Sequence, residues 1–471
     1  MADGRGTDSP TQILSGELFP PPAEATVSTH RFVLPRSDGS WLTNPPPDDW
    51  TPLIDANRRR LSSAEYDCQG RSLDDLRRWT RQHVLHAAAH DTAELVGDDV
   101  AVPRGDDWIV TGHQPDLFHL GVWAKNFAVD RLAQKTQSVG LNLIVDNDRL
   151  SATGIAVPVG TRAAPALSTA LFDAPRPPRP WEELTLADRT LFETFPQRVR
   201  EPLRAWGIEP VVCEFWPAAV NLARRTPLPR LAACLAAARI AAERAFGARN
   251  LELFLSRLES LPGFWWFTAN ILARLPQFVE LHNAIVHDYR RRNRLRSRTH
   301  PVPDLGADRE WREAPFWVWR AGDAQRHRVF ARQVEGEIEL RDQRDVFVRL
   351  PLTPQRSACC AVERLAELPG RGIRLRSRAL TTTLFARLFL ADLFVHGIGG
   401  AKYDEMTDEL IARFYGLPVP PYATISATVY LPLGGTWDAD PQQIGAVAHA
   451  LWDLEHNPER WAHELSQESL R

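Results

Sequence analysis

Two segments of this chain gather residue types that bind anions and move protons. The first is Thr111-Gly-His-Gln-Pro-Asp-Leu-Phe-His-Leu-Gly121, followed by Lys125 and Asn126 and, further on, by Asp146-Asn-Asp148. Imidazoles, carboxylates and a lysine are the groups whose pKa values shift far enough to serve as acid, base or charge stabiliser. The second is Gly397-Ile-Gly-Gly400 with Lys402, where glycines let backbone N–H groups come close to a phosphate and the lysine neutralises its charge. The chain has three lysines against 53 arginines, and two of the three lie in these segments. Either cation solvates an exposed face, so a lysine that persists marks a place where a compact ammonium matters. The third, Lys135, near the polar end of the helix that carries Lys125, is the internal control. Ordinary readings stand beside these. The histidines are then satisfied loop residues with Asp116 as a helix cap, the glycines a tight turn capped by Asp404 and Glu405, and the lysine placement chance.

The elements that would position these residues follow from periodicity. Trp108-Ile-Val-Thr111 reads as a short buried strand and Gly112–His119 as a loop. Leu120, Trp123, Ala124, Phe127, Ala128 and Leu132 recur at helical spacing opposite Lys125, Asn126 and Asp130. Gly140 is expected to stop that helix, and Leu141-Asn-Leu-Ile-Val145 to form a second strand. This is a βαβ unit, whose parallel strands end on the same edge of a sheet, so both loops should face one crevice. His119 then lies at the helix N-terminus, where free N–H groups suit a phosphate or carboxylate. Later, Ile373–Arg378 reads as a strand, Thr381–Leu390 as a helix, Leu393-Phe-Val-His396 as a buried strand and Asp404–Tyr415 as a helix ended by Gly416 and Pro418. The run Tyr289–Arg298 is basic and reads mainly as a solvated helix end.

At 471 residues the chain can bury large cores. The expected organisation is a disordered lead-in over 1–28, a first core part over 29–180, and a mainly helical insertion over 181–300. An antiparallel β insertion over 301–358, a second core part over 359–440 and a C-terminal helix over 441–471 follow. The net charge of −3 gives no global pull toward nucleic acid or an anionic membrane. No run is long and apolar enough for a membrane span, and the N-terminus has no apolar signal core. Five cysteines form no C-x-x-C pair and read as reduced thiols, which fits a cytoplasmic protein.

The loop Thr111-Gly-His-Gln-Pro-Asp-Leu-Phe, its downstream strand and Asp146-Asn-Asp148 resemble the bacillithiol-biosynthesis cysteine-adding enzyme family (BshC-like). That family carries a Thr-Gly-Gln-Gln…Leu-Phe loop and an acidic cluster after the next strand. Arg378, His396-Gly-Ile-Gly-Gly400 and Tyr415-Gly-Leu-Pro-Val-Pro-Pro421 are similar to its second block. Phe118-His119-Leu120-Gly121 resembles the H-x-G-H signature of nucleotidylyltransferases and class I aminoacyl-tRNA synthetases, with Val122 in place of the second His. His113 stands for the family's first Gln, Ala401 for an acidic residue, and no long coiled coil follows the core.

The resemblance implies an α/β fold with a Rossmann-like, mostly parallel three-layer core and the two insertions. It implies an adenine nucleotide, ATP or ADP with Mg²⁺, used to join a carboxylate to an amine. The candidate catalytic residues are His113, His119, Lys125, Asp146 and Asp148. The candidate nucleotide-binding residues are Gly112, Gln114, Gly121, Asn126, Arg378, Gly399, Gly400 and Lys402. The partners expected are small-molecule substrates and further copies of the chain in a homo-oligomer, without nucleic acid or membrane. The alternatives are a metal-dependent hydrolase using His113, His119, Asp146 and Asp148 as ligands, and a homologue that binds a small molecule without turnover.

Overall fold

Six strands form the central sheet of the computed structural model, in the order Ser40–Asn44, Ala423–Thr428, Leu393–His396, Trp108–His113, Val139–Ile144 and Leu251–Phe254. The structure describes residues 32–117, 119–161, 164–297, 299–343, 345–434 and 441–461, so the lead-in and the end of the C-terminal segment lie outside the described residues. The five strands from Ala423–Thr428 to Leu251–Phe254 are parallel, and Ser40–Asn44 adds an antiparallel edge. The protein is therefore α/β with a mostly parallel sheet. Taken in chain order, the parallel strands run outward from Trp108–His113 to one side, then resume on its other side. The order reverses between Trp108–His113 and Leu393–His396, where Thr111 Oγ1 donates to Val395 O at 2.8 Å.

Alternation decides what each face buries. Trp108, Val110, Leu141, Leu143, Leu251 and Leu253 pack on one side against the helices Leu73–Val96 and Pro262–Ala273. Ile109, Leu393, Val395, Ala423 and Ile425 pack on the other against Trp50–Ser62 and Leu120–Thr136. Ser72 caps the first of these helices by accepting from Asp75 N, and Gly97 ends it in the left-handed region at φ 83°.

The helix Leu120–Thr136 corrects the sequence reading in two ways. It buries Lys125, Asn126 and Asp130, while Trp123, Ala124, Phe127 and Ala128 are only half-buried, so the polar stripe faces inward. The donors of the stripe are met from below, while Asn126 Oδ1 has no partner among the described residues. Asn126 Nδ2 and Trp123 Nε1 both donate to Glu243 Oε1 at 2.7 Å, and Arg239 bridges Glu243 and Glu252. Gly140 does not stop the helix. Gln137 does so at φ 54°, and Gly140 lies inside the next strand, where a Cβ would meet Asn250 Oδ1 at 2.6 Å.

Other boundaries moved as well. The supposed helical insertion contains Leu251–Phe254, a core strand too short to register against its helical surroundings. Ile373–Ser377 pairs with Trp311–Arg320, so it belongs to the inserted antiparallel sheet and not to the core. That sheet is ordered Val346–Leu350, Glu337–Arg341, His327–Val334, Trp311–Arg320, Ile373–Ser377. The helix placed at Asp404 begins at Ile398, which turns the expected glycine loop into a first helical turn and moves Asp404 and Glu405 out of it. The C-terminal helix ends at His456. No helix among the described residues is long and apolar enough to cross a membrane.

Gly121, expected to bind a nucleotide, has a packing duty instead: a Cβ there would sit 2.6 Å from the backbone oxygen of Ala427. Gly121→Ala is expected to cost about 1–3 kcal/mol through overpacking against a backbone that cannot yield, read as a lower urea midpoint. An unchanged midpoint would show that the helix and the strand Ala423–Thr428 are free to separate.

Candidate functional site

A cavity of about 360 Å³ opens at the carboxyl ends of the parallel strands, beside the point where their order reverses. Gly112, His113 and Gln114 leave one strand into it, Asn147 and Asp148 leave the next, and His396 ends the strand on the other side. The inserted sheet forms the roof through Trp317, joined by Arg326 from the turn before His327–Val334, and Arg378 closes the far end.

Lys125 lies behind this wall, 4% exposed, with its ammonium donating to Gly112 O at 2.7 Å. Among the described residues that carbonyl is its one acceptor, and no carboxylate pairs with it. Burial, with Arg239 adding repulsion, pushes its pKa down to about 7. The same charge reaches His113, whose imidazole is pushed down to about 4 by burial first and Lys125 second. Gln114 Nε2 donates to Asp148 Oδ2 at 3.1 Å, and Asp148 Oδ1 accepts from Arg326 at 3.1 Å.

The roof depends on a bulge. The register of Trp311–Arg320 against its neighbour shifts between Ala314 and Trp317, and Pro315, which has no N–H for the ladder, sits in the irregularity. Its carbonyl accepts from Arg378 N at 3.3 Å and from Thr381 Oγ1 at 3.2 Å, fixing the entry to the next helix. Two guanidinium groups then lie over Trp317, with Arg378 4.1 Å and Arg326 5.1 Å from its ring centre. Buried Glu313 holds Arg378 at 2.8 Å, yet among the described residues the buried Arg378 Nε–H has no partner.

Sequence reasoning missed a polar group beneath Arg378. Glu259 accepts from Ser377 N and from Ser377 Oγ, and Asn147 Nδ2 donates to it at 3.2 Å. Burial raises the Glu259 carboxyl to about 8 against the opposing pull of Arg376. His282 and His396 on the cavity wall were also missed as site residues. Each lies on a stretch with an apolar period, and only tertiary packing turns it toward the cavity.

The cavity thus gathers Gly112, His113, Gln114, Asp148, Arg378 and Gly400 of the expected set, with Lys125 directly behind. The others lie elsewhere. Asp146 is saturated by Ser256 N and Oγ, at 2.8 and 2.6 Å, and by Arg230 at 2.7 Å, which makes it a structural anchor. His119 is exposed at the helix N-cap and faces a second cavity with Trp123 and Asp116. Asp116 does not cap that helix, and burial, with Asp148 nearby, pushes its carboxyl up to about 6. Asn126 is spent on Glu243, while Gly399 and Lys402 are exposed and do not line the cavity. Phe118 lies outside the described residues.

No protein-family model and no curated protein matches the chain.

The buried ammonium has a thermodynamic signature. Depressing its pKa to about 7 costs the folded state on the order of 4 kcal/mol at neutral pH. Losing its bond to Gly112 O would cost ~1–3 kcal/mol, so Lys125→Met is expected to be the more stable protein at pH 7. Between pH 7 and about 10 the unfolded chain keeps a proton that the folded chain has released, so this group's contribution rises with pH. Below pH 7 both states hold the proton and the slope vanishes. Urea denaturation at pH 6, 7 and 9 should show the variant's advantage shrinking at pH 9; an advantage independent of pH would contradict a buried charge.

Proposed function

We propose that the chain is a nucleotide-dependent ligase or nucleotidyl-transfer enzyme that joins a small carboxylate to an amine, as the family resemblance implies. The observation that carries this reading is Lys125: a buried cation with no carboxylate partner among the described residues, set behind the cavity at the reversal of strand order. Burying an unpaired charge is costly, and an anion in the cavity would offset that cost. The strand order supports reading the sheet as Rossmann-like, a fold in which ligands bind outside the carboxyl ends of the strands at this reversal.

The lining fits the substrates by chemistry. Among the described residues the Arg378 Nε–H has no partner, which suits a carboxylate or phosphate. Gln114 and Asp148 present acceptors that suit an amine, and Asp148 is the carboxylate on the wall that would hold Mg²⁺ brought in with ATP. Lys125 favours negative charge at the Gly112 end. A cytoplasmic location and assembly of copies belong to the same reading.

The metal-dependent hydrolase gains no comparable support. Among the described residues the one group able to converge on a metal is His90, Asp91 and Glu94, on the helix Leu73–Val96 and away from the cavity, and Asp91 there already pairs with Arg257 at 2.9 Å.

Titration calorimetry with ATP and ADP tests the proposal. Binding is expected, and Lys125→Ala should weaken it by about tenfold or more, because the positive charge behind the cavity wall is lost. Lys135→Ala should change nothing. Because an anion stabilises the protonated lysine, affinity for the wild-type protein should fall as pH rises from 7 to 9. No binding, or full affinity in Lys125→Ala, would overturn the assignment.

A further inference from the structure

His396 ends the strand Leu393–His396 and is 4% exposed, with its ring against Phe394 and Tyr422. Its Nε2 lies 2.9 Å from Asp404 Oδ2. Asp404 is in turn gripped by Arg387 at 2.6 Å, from the π-helical turn Ala386–Leu390, and Arg387 also reaches Asp408 at 2.6 Å. Burial opposes ionisation of Asp404, but Arg387 and His396 hold its carboxyl far below the usual range. An ionised carboxylate can only accept, so Nε2 carries the ring proton and Nδ1 keeps a lone pair.

That lone pair is open. Among the described residues no hydrogen bond reaches His396 Nδ1, while His396 and Gly400 both line the cavity. Gly400 keeps it open: a Cβ at that position would stand 2.8 Å from Nδ1 and cover it. The charged groups around the ring are Asp404, Arg387 and Lys125. Burial outweighs the attraction of Asp404 and, with Arg387 and Lys125 adding repulsion, lowers the imidazole pKa, so the ring is neutral and able to accept a proton at pH 7. Carboxylate, imidazole and open nitrogen in this order form the orienting arrangement that activates a nucleophile in acyl transfer.

We infer that His396, oriented by Asp404, is the general base of this cavity and takes the proton of the attacking amine on Nδ1. The inference rests on the ligase reading and names its proton acceptor. Once ATP has activated the carboxylate, the amine nitrogen bonds to the carbonyl carbon. The bond from that carbon to the phosphate oxygen breaks, its electron pair leaving with the phosphate or nucleoside monophosphate. The surplus proton on nitrogen passes to His396. Asp404 and Arg387 touch no substrate and act as positioning residues.

Diethyl pyrocarbonate tests this on the wild-type full chain: an open imidazole nitrogen bonds to its carbonyl carbon, and ethyl carbonate leaves as carbon dioxide and ethanol. Peptide mapping by mass spectrometry should find the adduct on His396 at pH 7. Its rate should fall less toward pH 5.5 than that of N-acetylhistidine in the same solution, because burial lowers the ring's pKa, and exposed His86 serves as the surface control. ATP or ADP, at concentrations shown by calorimetry to saturate, should protect His396 and leave His86 reactive. Folded Gly400→Ala protein, verified by circular dichroism, should lose the adduct. Absence of nucleotide binding in the calorimeter overturns the ligase reading, and this inference with it. Nucleotide binding with His396 unmodified or unprotected overturns the inference alone, as does an adduct that persists in Gly400→Ala.

Discussion

One buried positive charge organises the centre of this molecule. Lys125 can stay beneath the Gly112 carbonyl only because the helix that carries it turns its polar stripe toward the sheet. That orientation in turn demands the network beneath, in which Glu243 receives Asn126, Trp123 and Arg239, and Glu252 receives Arg239 and Asn142. Each of these donors and carboxylates would be expensive to bury alone, and they pair with one another, while Oδ1 of Asn126 and of Asn142 stays buried without a partner among the described residues. The result fixes the first strand end of the cavity from behind, so that Gly112 and His113 are held in place before any ligand arrives.

The βαβ unit was legible because its signals are local: a strand, a helix and a strand follow one another with glycine and polar breaks between. What the local pattern could not say is which stripe of the helix faces the sheet. Phe127 and Trp123 pack against each other, and Phe127 meets Phe246 on the outer side, so the apolar face serves a neighbouring layer. Strands whose partners are distant in sequence were lost for a related reason. Leu251–Phe254 has four residues, and Ile373–Ser377 finds its partner more than fifty positions earlier, at Trp311–Arg320.

The site was legible in proportion to how unusual its residues are. A scarce lysine and a loop dense in His, Gln and Asp drew attention to Gly112–Asp116 and Lys125. Asp146 drew it equally and is an anchor for Ser256 and Arg230, because adjacent acidic residues on a turn point in different directions. Trp317 and Arg326 looked like ordinary members of an alternating sheet. His396 was readable as a buried strand residue and as the start of the second block of the resemblance, without a role of its own. Its partner Asp404 lies eight residues on, in the second turn of a helix that the sequence placed too late.

The inserted sheet has a consequence for how the two halves of the site move. Its last strand, Ile373–Ser377, runs without a break into Arg378 and the helix Ala379–Phe385 of the core. Roof and floor are therefore one continuous beam. A tilt of the sheet about its far hairpins would carry Trp317 and Arg378 together, preserving the cation–aromatic stack while changing its distance from Gly112. Changes in length at the outer hairpins are mechanically remote from the cavity, whereas one residue added between Ser377 and Arg378 would put the whole clamp out of register.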